Sequence, residues 1–165
     1  LHKVIPIGAG LGGGSSDAAF TLKGLNKLFN LQLSNEQLRV YALQIGADCP
    51  FFIENKPMLA TGIGEILEPI DLDLSSYHIA IVKPNIHIST KEAYSGVNTK
   101  ESLCSLRDLI KSPVKEWQIQ NDFEQSVFPK YSSIECLKNS LYNQGAVYAA
   151  MSGSGYSVFG LLFCK

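Results

Sequence analysis

Five glycines in seven positions, Gly8, Gly10, Gly12, Gly13 and Gly14, run straight into Ser15, Ser16 and Asp17. Glycine lets the backbone enter left-handed conformations and lets a ligand touch the main chain. An Ala-rich segment with helical character follows, and a helix N-terminus offers unpaired N–H groups and a partial positive charge. Together they form a cradle for a phosphate chain, through Pro6, Ile7, Gly8, Ala9, Gly10, Leu11, Gly12, Gly13, Gly14, Ser15 and Ser16. Asp48, in Gly46-Ala47-Asp48-Cys49-Pro50, is the candidate catalytic acid or base. Beside an apolar Phe-Phe pair, desolvation raises such a carboxylate's pKa and a nearby cation lowers it. The same aspartate also fits a turn cap ahead of Pro50. Ser152-Gly153-Ser154-Gly155 reads either as a second small-residue loop near a ligand or as a tight hairpin. Thr90 and Tyr94 lie four apart and share one helix face, with Tyr94 either stacking on a base or half-buried in a core. Trp117 reads as packing.

The kind of phosphate loop can be narrowed. Gly8, Gly10 and Gly13 satisfy G-x-G-x-x-G, the dinucleotide fingerprint. That pattern needs a clean strand before it, and Pro6 stands where the strand should still donate hydrogen bonds. The acidic residue expected about 20 positions on would be Glu36, which belongs to a helix start instead. A Walker loop needs Lys before the Ser or Thr that follows the last glycine. Gly14-Ser15 has none, and Lys23 is the next lysine downstream. A flexible linker is also a poor fit, because an Ala-rich amphipathic helix follows at once.

Positioning these residues requires a definite set of elements. Apolar residues at Ala18, Ala19, Leu22, Leu25, Leu28 and Phe29 predict a helix over 16–29 with Ser15 or Ser16 as N-cap. Ser34 with Gln37 three on is a capping box for a second helix from Asn35 to Ile45. Its inward residues would be Leu38, Tyr41, Ala42 and Ile45, and Gly46 would follow as its C′ residue. Phe51-Phe52-Ile53 reads as a short buried strand, then strands over 57–61 and 66–70 flank a turn at Gly62-Ile63-Gly64-Glu65. The second half reads as a strand over 78–83, helices from Ser89 or Thr90, over 101–110 and over 131–143, and a short helical piece over 121–128. Strands over 146–151 and 157–163 close the chain, an α+β layer with helices on one face.

Composition sets the bounds. With 165 residues and 45% hydrophobic content the chain can build a real core, in one large domain or two small ones. Fourteen basic residues against 15 acidic ones argue against a broad nucleic-acid or anionic-membrane surface. No apolar run reaches membrane-span length. Cys49, Cys104, Cys136 and Cys164 are far apart and read as free thiols in a reducing compartment, while His2, His78 and His87 are too scattered for a metal cluster.

Taken together, Pro6-x-x-x-Gly10-Leu11-Gly12-Gly13-Gly14-Ser15-Ser16, Gly46-Ala47-Asp48-x-Pro50-Phe51-Phe52, Gly62-x-Gly64-Glu65 and Ser152-Gly153-Ser154-Gly155 resemble the GHMP small-molecule kinases over essentially the whole chain. Gly12-Gly13-Gly14 and Gly46–Pro50 favour the branch that phosphorylates a cytidine diphosphate-linked methylerythritol in non-mevalonate isoprenoid synthesis over mevalonate, homoserine or galactose kinases. The fold this implies is the C-terminal half of a ribosomal-protein-S5-like N-domain (1–73, ATP-binding), then a ferredoxin-like C-terminal domain (74–165). The resemblance implies ATP on Pro6–Ser16, with Mg²⁺ beside Ser16 or Ser15, and Asp48 as the base for the substrate hydroxyl. It places Thr90, Tyr94, Ser152 and Gly153 at the substrate, with no nucleic acid or membrane partner. Other GHMP kinases, or a non-catalytic nucleotide-binding module, are the alternatives. The family also has an N-terminal segment with a catalytic lysine that this chain, opening at Leu1, does not contain. The resemblance therefore implies a piece inactive by itself, from a cytoplasmic bacterial enzyme, or a plastid one whose transit peptide is absent.

Overall fold

The structure is a computed structural model, and it describes residues 2–86, 88–98 and 105–164. Its contacts divide the chain into two units, Gly12–Leu72 and a second made of Leu1–Leu11 with Asp73–Lys165.

In the first unit, helix α1 (Gly13–Leu28) packs with α2 (Asn35–Ile45) and the short α3 (Phe51–Glu54). Strands β1 (Met58–Thr61) and β2 (Ile66–Pro69) pair antiparallel, Thr61 opposite Ile66. The core is small: Ala19, Leu38, Ala42, Cys49 and Ile53, with Ala18, Leu22, Leu33 and Phe52 against it. The capping box at α2 is complete, Ser34 accepting from the Gln37 N–H and Gln37 accepting from the Ser34 N–H. Leu38 and Ala42 face inward as the spacing requires, but Tyr41 and Ile45 are exposed, as are Leu25, Leu28 and Phe29 of the first helical segment. Gly46 caps α2 in extended backbone, φ 179°, so its place does not rest on left-handed freedom.

Two expectations fail here for identifiable reasons. α1 starts at Gly13, not at a serine cap, because Gly12 turns the chain into the helix at φ 64°. The first helical bond runs from the Ser16 N–H to the Gly12 carbonyl, so Ser15 and Ser16 lie inside the first turn. Phe51–Ile53 forms a helical turn, not a strand: Pro50, at φ −57° and ψ −34°, is already helical, and the Asn55 N–H closes the turn on Phe51.

The second unit is built on a three-stranded antiparallel sheet in the order β3 (Tyr77–Val82), β5 (Val158–Phe163), β4 (Tyr148–Met151). Between β3 and β4 run α4 (Thr90–Tyr94), α5 (Leu106–Leu109), a 3-10 turn (Val114–Glu116), α6 (Phe123–Val127) and α7 (Ser132–Asn143). The expected helix over 101–110 is therefore observed as Leu106–Leu109, and 101–104 lie outside the described residues.

Residue size explains how α7 meets the sheet. Ala80 and Ala149 flank Gly160 in register, and a Cβ on Gly160 would press on Leu141 and Ala146 at 3.2–3.4 Å. Ile134 and Leu141 of α7 close this face over Ala149, Met151 and Val158. On the opposite face Trp117 stands edge-on to Tyr148, ring centres 5.4 Å apart, and joins Val114, Ala150 and Leu161. Trp117 is packing, as expected, with its Nε1–H donating to the Ser112 carbonyl at 2.9 Å.

Candidate functional site

The glycine run is held differently in its two halves. Its first half belongs to the sheet-bearing unit, where it lies on the loop that joins β4 to β5. The Ser152 Oγ–H donates to the Gly10 carbonyl at 2.9 Å, the Ser157 N–H to Ala9 at 3.2 Å and the Tyr156 hydroxyl to Ile7 at 3.2 Å. The fit is backbone on backbone. A Cβ on Gly10 would collide with the Ser152 carbonyl, and one on Gly155 with Gly10 itself. The stretch 152–155 is thus the hairpin connection that one sequence reading expected, and it also seats the glycine run.

The second half opens α1. Gly12 is left-handed, and a Cβ there would meet the Phe52 ring at 2.7 Å. The N–H groups of Gly13, Gly14 and Ser15 fall in the first turn, where the helix supplies no acceptor, and no side chain caps the end. Gly14 has nothing within 4 Å of the position a Cβ would take. Ser15 and Ser16 are half-buried.

Asp48 lies in the turn between α2 and α3, fixed by the Cys49 N–H donating to the Gly46 carbonyl at 3.1 Å. Its carboxylate is exposed and stands beside Gly64 of the β1–β2 turn, where an added Cβ would come within 3.2 Å of Oδ1. That turn is stiffened by Glu65, which accepts the Ile63 N–H at 2.7 Å. Gly12, Asp48, Phe51, Phe52, Ala60, Gly64 and Leu67 line one cavity of about 210 Å³. It holds one carboxylate in a mostly apolar wall, next to the start of α1. Such a cavity can take the reacting end of a small alcohol beside an anion held on helix N–H groups.

Thr90 and Tyr94 open and close α4, which Ser89 caps by accepting the Glu92 N–H. Tyr94 is 63% exposed and packs against Phe123 in a T-shaped arrangement, with ring centres 4.8 Å apart. Tyr131 donates to Glu92 at 3.1 Å, and this bond pushes the Tyr131 phenol above its usual value. Among the described residues no group of three or more His, Cys, Asp or Glu could hold a metal ion.

Sequence reasoning missed two residues, Asn121 and Glu124. Asn121 Nδ2 donates to the carbonyls of Met151 and Gly153, each at 2.8 Å. Glu124 accepts the Met151 N–H at 2.8 Å and the Lys138 ammonium at 2.6 Å. Their only signal in sequence is an Asn-x-x-Glu helix start, a spacing that advertises a cap and not a distant partner.

Known proteins resemble this chain in sequence and in fold. Residues 1–56 match the model of the GHMP kinases N terminal domain. A 4-diphosphocytidyl-2-C-methyl-D-erythritol kinase of Bacteroides fragilis is 56% identical over 163 residues, covering 98% of this chain and 60% of that protein. The chain is similar to GHMP kinases along nearly its whole length. A like-named kinase of Azobacteroides pseudotrichonymphae is 57% identical over 164 residues, 98% of this chain and 61% of its own length. The GHMP kinase fold is seen directly in a crystal structure of 4-(cytidine 5'-diphospho)-2C-methyl-D-erythritol kinase, which superposes with a TM-score of 0.83 at 30% identity over 97% of this chain and 59% of that one. A homoserine kinase from Cytophaga hutchinsonii, at 16% identity and a TM-score of 0.72, shares the fold. The chain spans about 60% of the length of the curated relatives it matches.

Proposed function

We propose that this chain carries the phosphate loop and catalytic base of an ATP-dependent kinase. The kinase phosphorylates the 2-hydroxyl of 4-diphosphocytidyl-2-C-methyl-D-erythritol in bacterial, cytoplasmic isoprenoid precursor synthesis. The observation that carries the reading is the cavity in which Asp48 and Gly12 stand together. The names of the relatives support the substrate. On this reading 1–73 is the remainder of an S5-like ATP-binding domain and 74–165 a ferredoxin-like C-terminal domain.

Each residue then has a task. The segment Pro6–Ser16 wraps the ATP phosphates, and the first-turn N–H groups of α1 hold phosphate oxygens against the positive end of the helix. Asp48 takes the proton of the alcohol as its oxygen bonds to the γ-phosphorus. The bond from that phosphorus to the bridging oxygen breaks, and ADP leaves with the electron pair. Thr90, Tyr94, Ser152 and Gly153 receive the cytidine diphosphate alcohol, the exposed ring of Tyr94 stacking on the base. Mg²⁺ neutralises phosphate charge when bound, and the half-buried Ser16 hydroxyl, an oxygen donor in the first turn, fits as the protein's contribution.

The test is a coupled ADP-release assay on the complete gene product with a panel of alcohols. Turnover is expected with the cytidine diphosphate-linked methylerythritol, lowered by about 100-fold or more in Asp48→Asn with ATP affinity retained. Turnover with mevalonate, homoserine or galactose in its place would assign another GHMP activity. ATP binding with no turnover on any alcohol would leave a nucleotide-binding module. Full turnover in Asp48→Asn would remove Asp48 from the chemistry.

A further inference from the structure

We infer that Asn121 and Glu124 are positioning residues for nucleotide binding, pinning the loop on which the first half of the glycine run is seated. This inference rests on the kinase reading above.

Both residues act on the end of β4. Met151 is gripped at its two backbone groups, its N–H by Glu124 and its carbonyl by Asn121. The same Asn121 amide reaches two residues further and holds the Gly153 carbonyl. Its oxygen accepts the Phe123 N–H at 3.0 Å, so the amide orientation is fixed from both ends. Glu124 is fixed in turn by Lys138, the two side chains only 11% and 19% exposed. A largely shielded ion pair of this kind is a rigid anchor more than a source of stability.

The grip is transmitted because the next contact has no slack. Ser152 binds Gly10, Ser157 binds Ala9, and Gly10 and Gly155 touch so closely that neither tolerates a Cβ. A displaced Ser152–Gly155 segment must therefore displace Gly10, and with it the N–H groups that would face a phosphate. Small misplacements of a binding constellation cost large factors in affinity. A merely structural strut for β4 would lower stability and leave nucleotide affinity alone.

The experiment uses the complete gene product as wild type, Asn121→Ala, Asn121→Asp and, as a control, Gln125→Ala on the exposed side of α6. ATP affinity is measured by calorimetry, KM for ATP and for the alcohol by the coupled assay, and folding by thermal melting. Asn121→Ala should weaken ATP binding by about 10-fold or more, the scale of two lost hydrogen bonds. The Gln125→Ala control should keep wild-type ATP affinity, and the loss in Asn121→Ala should exceed what its melting temperature explains. Asn121→Asp keeps the shape but turns an anion toward two carbonyls. It should bind ATP poorly at neutral pH and regain affinity, relative to wild type at the same pH, once acid protonates the new carboxyl. Folded Asn121→Ala and Asn121→Asp proteins with wild-type ATP affinity would overturn the inference. So would losses of ATP affinity that only track the melting temperature. Wild-type protein that binds no ATP would overturn the kinase reading, and this inference with it.

Discussion

Gly12 and Gly14 stand two residues apart and answer to different constraints. Gly12 is demanded by the protein itself, through its left-handed backbone and the Phe52 ring. A side chain there would strain the fold whether or not a nucleotide binds, so Gly12→Val cannot separate binding from folding. Gly14 is not demanded by any neighbour, since open space lies where its Cβ would be. In a helix without a ligand, Gly14→Ala should raise stability, by up to about 1 kcal/mol. In a phosphate loop it should weaken ATP binding, because the methyl stands where an oxygen approaches the backbone. We expect both in the same variant: a melting temperature at or above wild type and a raised ATP dissociation constant. Unchanged ATP affinity would mean the phosphates do not approach the loop at Gly14. The glycine run and Asp48 were legible in sequence because their chemistry is concentrated in short runs of unusual residues. Asn121 and Glu124 were not, since what they hold is main chain some 30 residues away. Main-chain partners leave no residue-type trace at the other end.

At the scale of elements, period and punctuation located most helices and strands, and the failures were local. Phe51-Phe52-Ile53 is a short apolar run, which fits a buried strand and a buried helical turn equally. Pro50 decided it, with a torsion already preset for the helix. Tyr41 and Ile45 had the inward spacing of α2, yet the layer against α2 is narrow and covers only Leu38 and Ala42. In the sheet, β4 carries Tyr148, a buried phenol whose ionisation opposes the fold. Burial, then the charges of Glu124 and Tyr142, push the Tyr148 phenol from 10.0 up to about 12. The unfolded chain releases that proton more readily than the folded one. The stabilisation it reflects is therefore complete below pH 10 and is lost as pH rises from 10 toward about 12. Thermal melts across that range should decline less steeply in Tyr148→Phe than in wild type. Parallel declines would show that Tyr148 ionises as freely in the fold as outside it.

For the molecule as a whole, the sheet-bearing unit is assembled from two stretches of chain, Leu1–Leu11 and Asp73–Lys165, with Gly12–Leu72 between them. No periodicity could disclose this, because it depends on which distant backbone groups meet. Its cost is a large loop closure, and closure entropy grows with the logarithm of loop length. The Val147 N–H bonds to Leu161 across a hairpin, whereas the Ser157 N–H must find Ala9 at the far end of the chain. In refolding followed by pulsed hydrogen exchange, the Val147 amide should gain protection before the Ser157 amide. Simultaneous protection would mean that the glycine run docks as early as the hairpin forms.

The docking of Ile7, Ala9 and Gly10 on Ser152–Ser157 also sets an order of events during translation. The hydroxyls that bind Ile7 and Gly10 lie 149 and 142 residues downstream. At about 5–20 residues per second, the glycine run leaves the ribosome roughly 7–30 s before its seat has been made. Through that interval the rest of the chain can acquire helices and hairpins, but the loop has nowhere to rest. A ribosome that stalls before Ser152 releases a product with the whole glycine signature and no means of holding its first half in place. On the kinase reading, nucleotide capture is expected only once Ser152–Ser157 has emerged and seated the run.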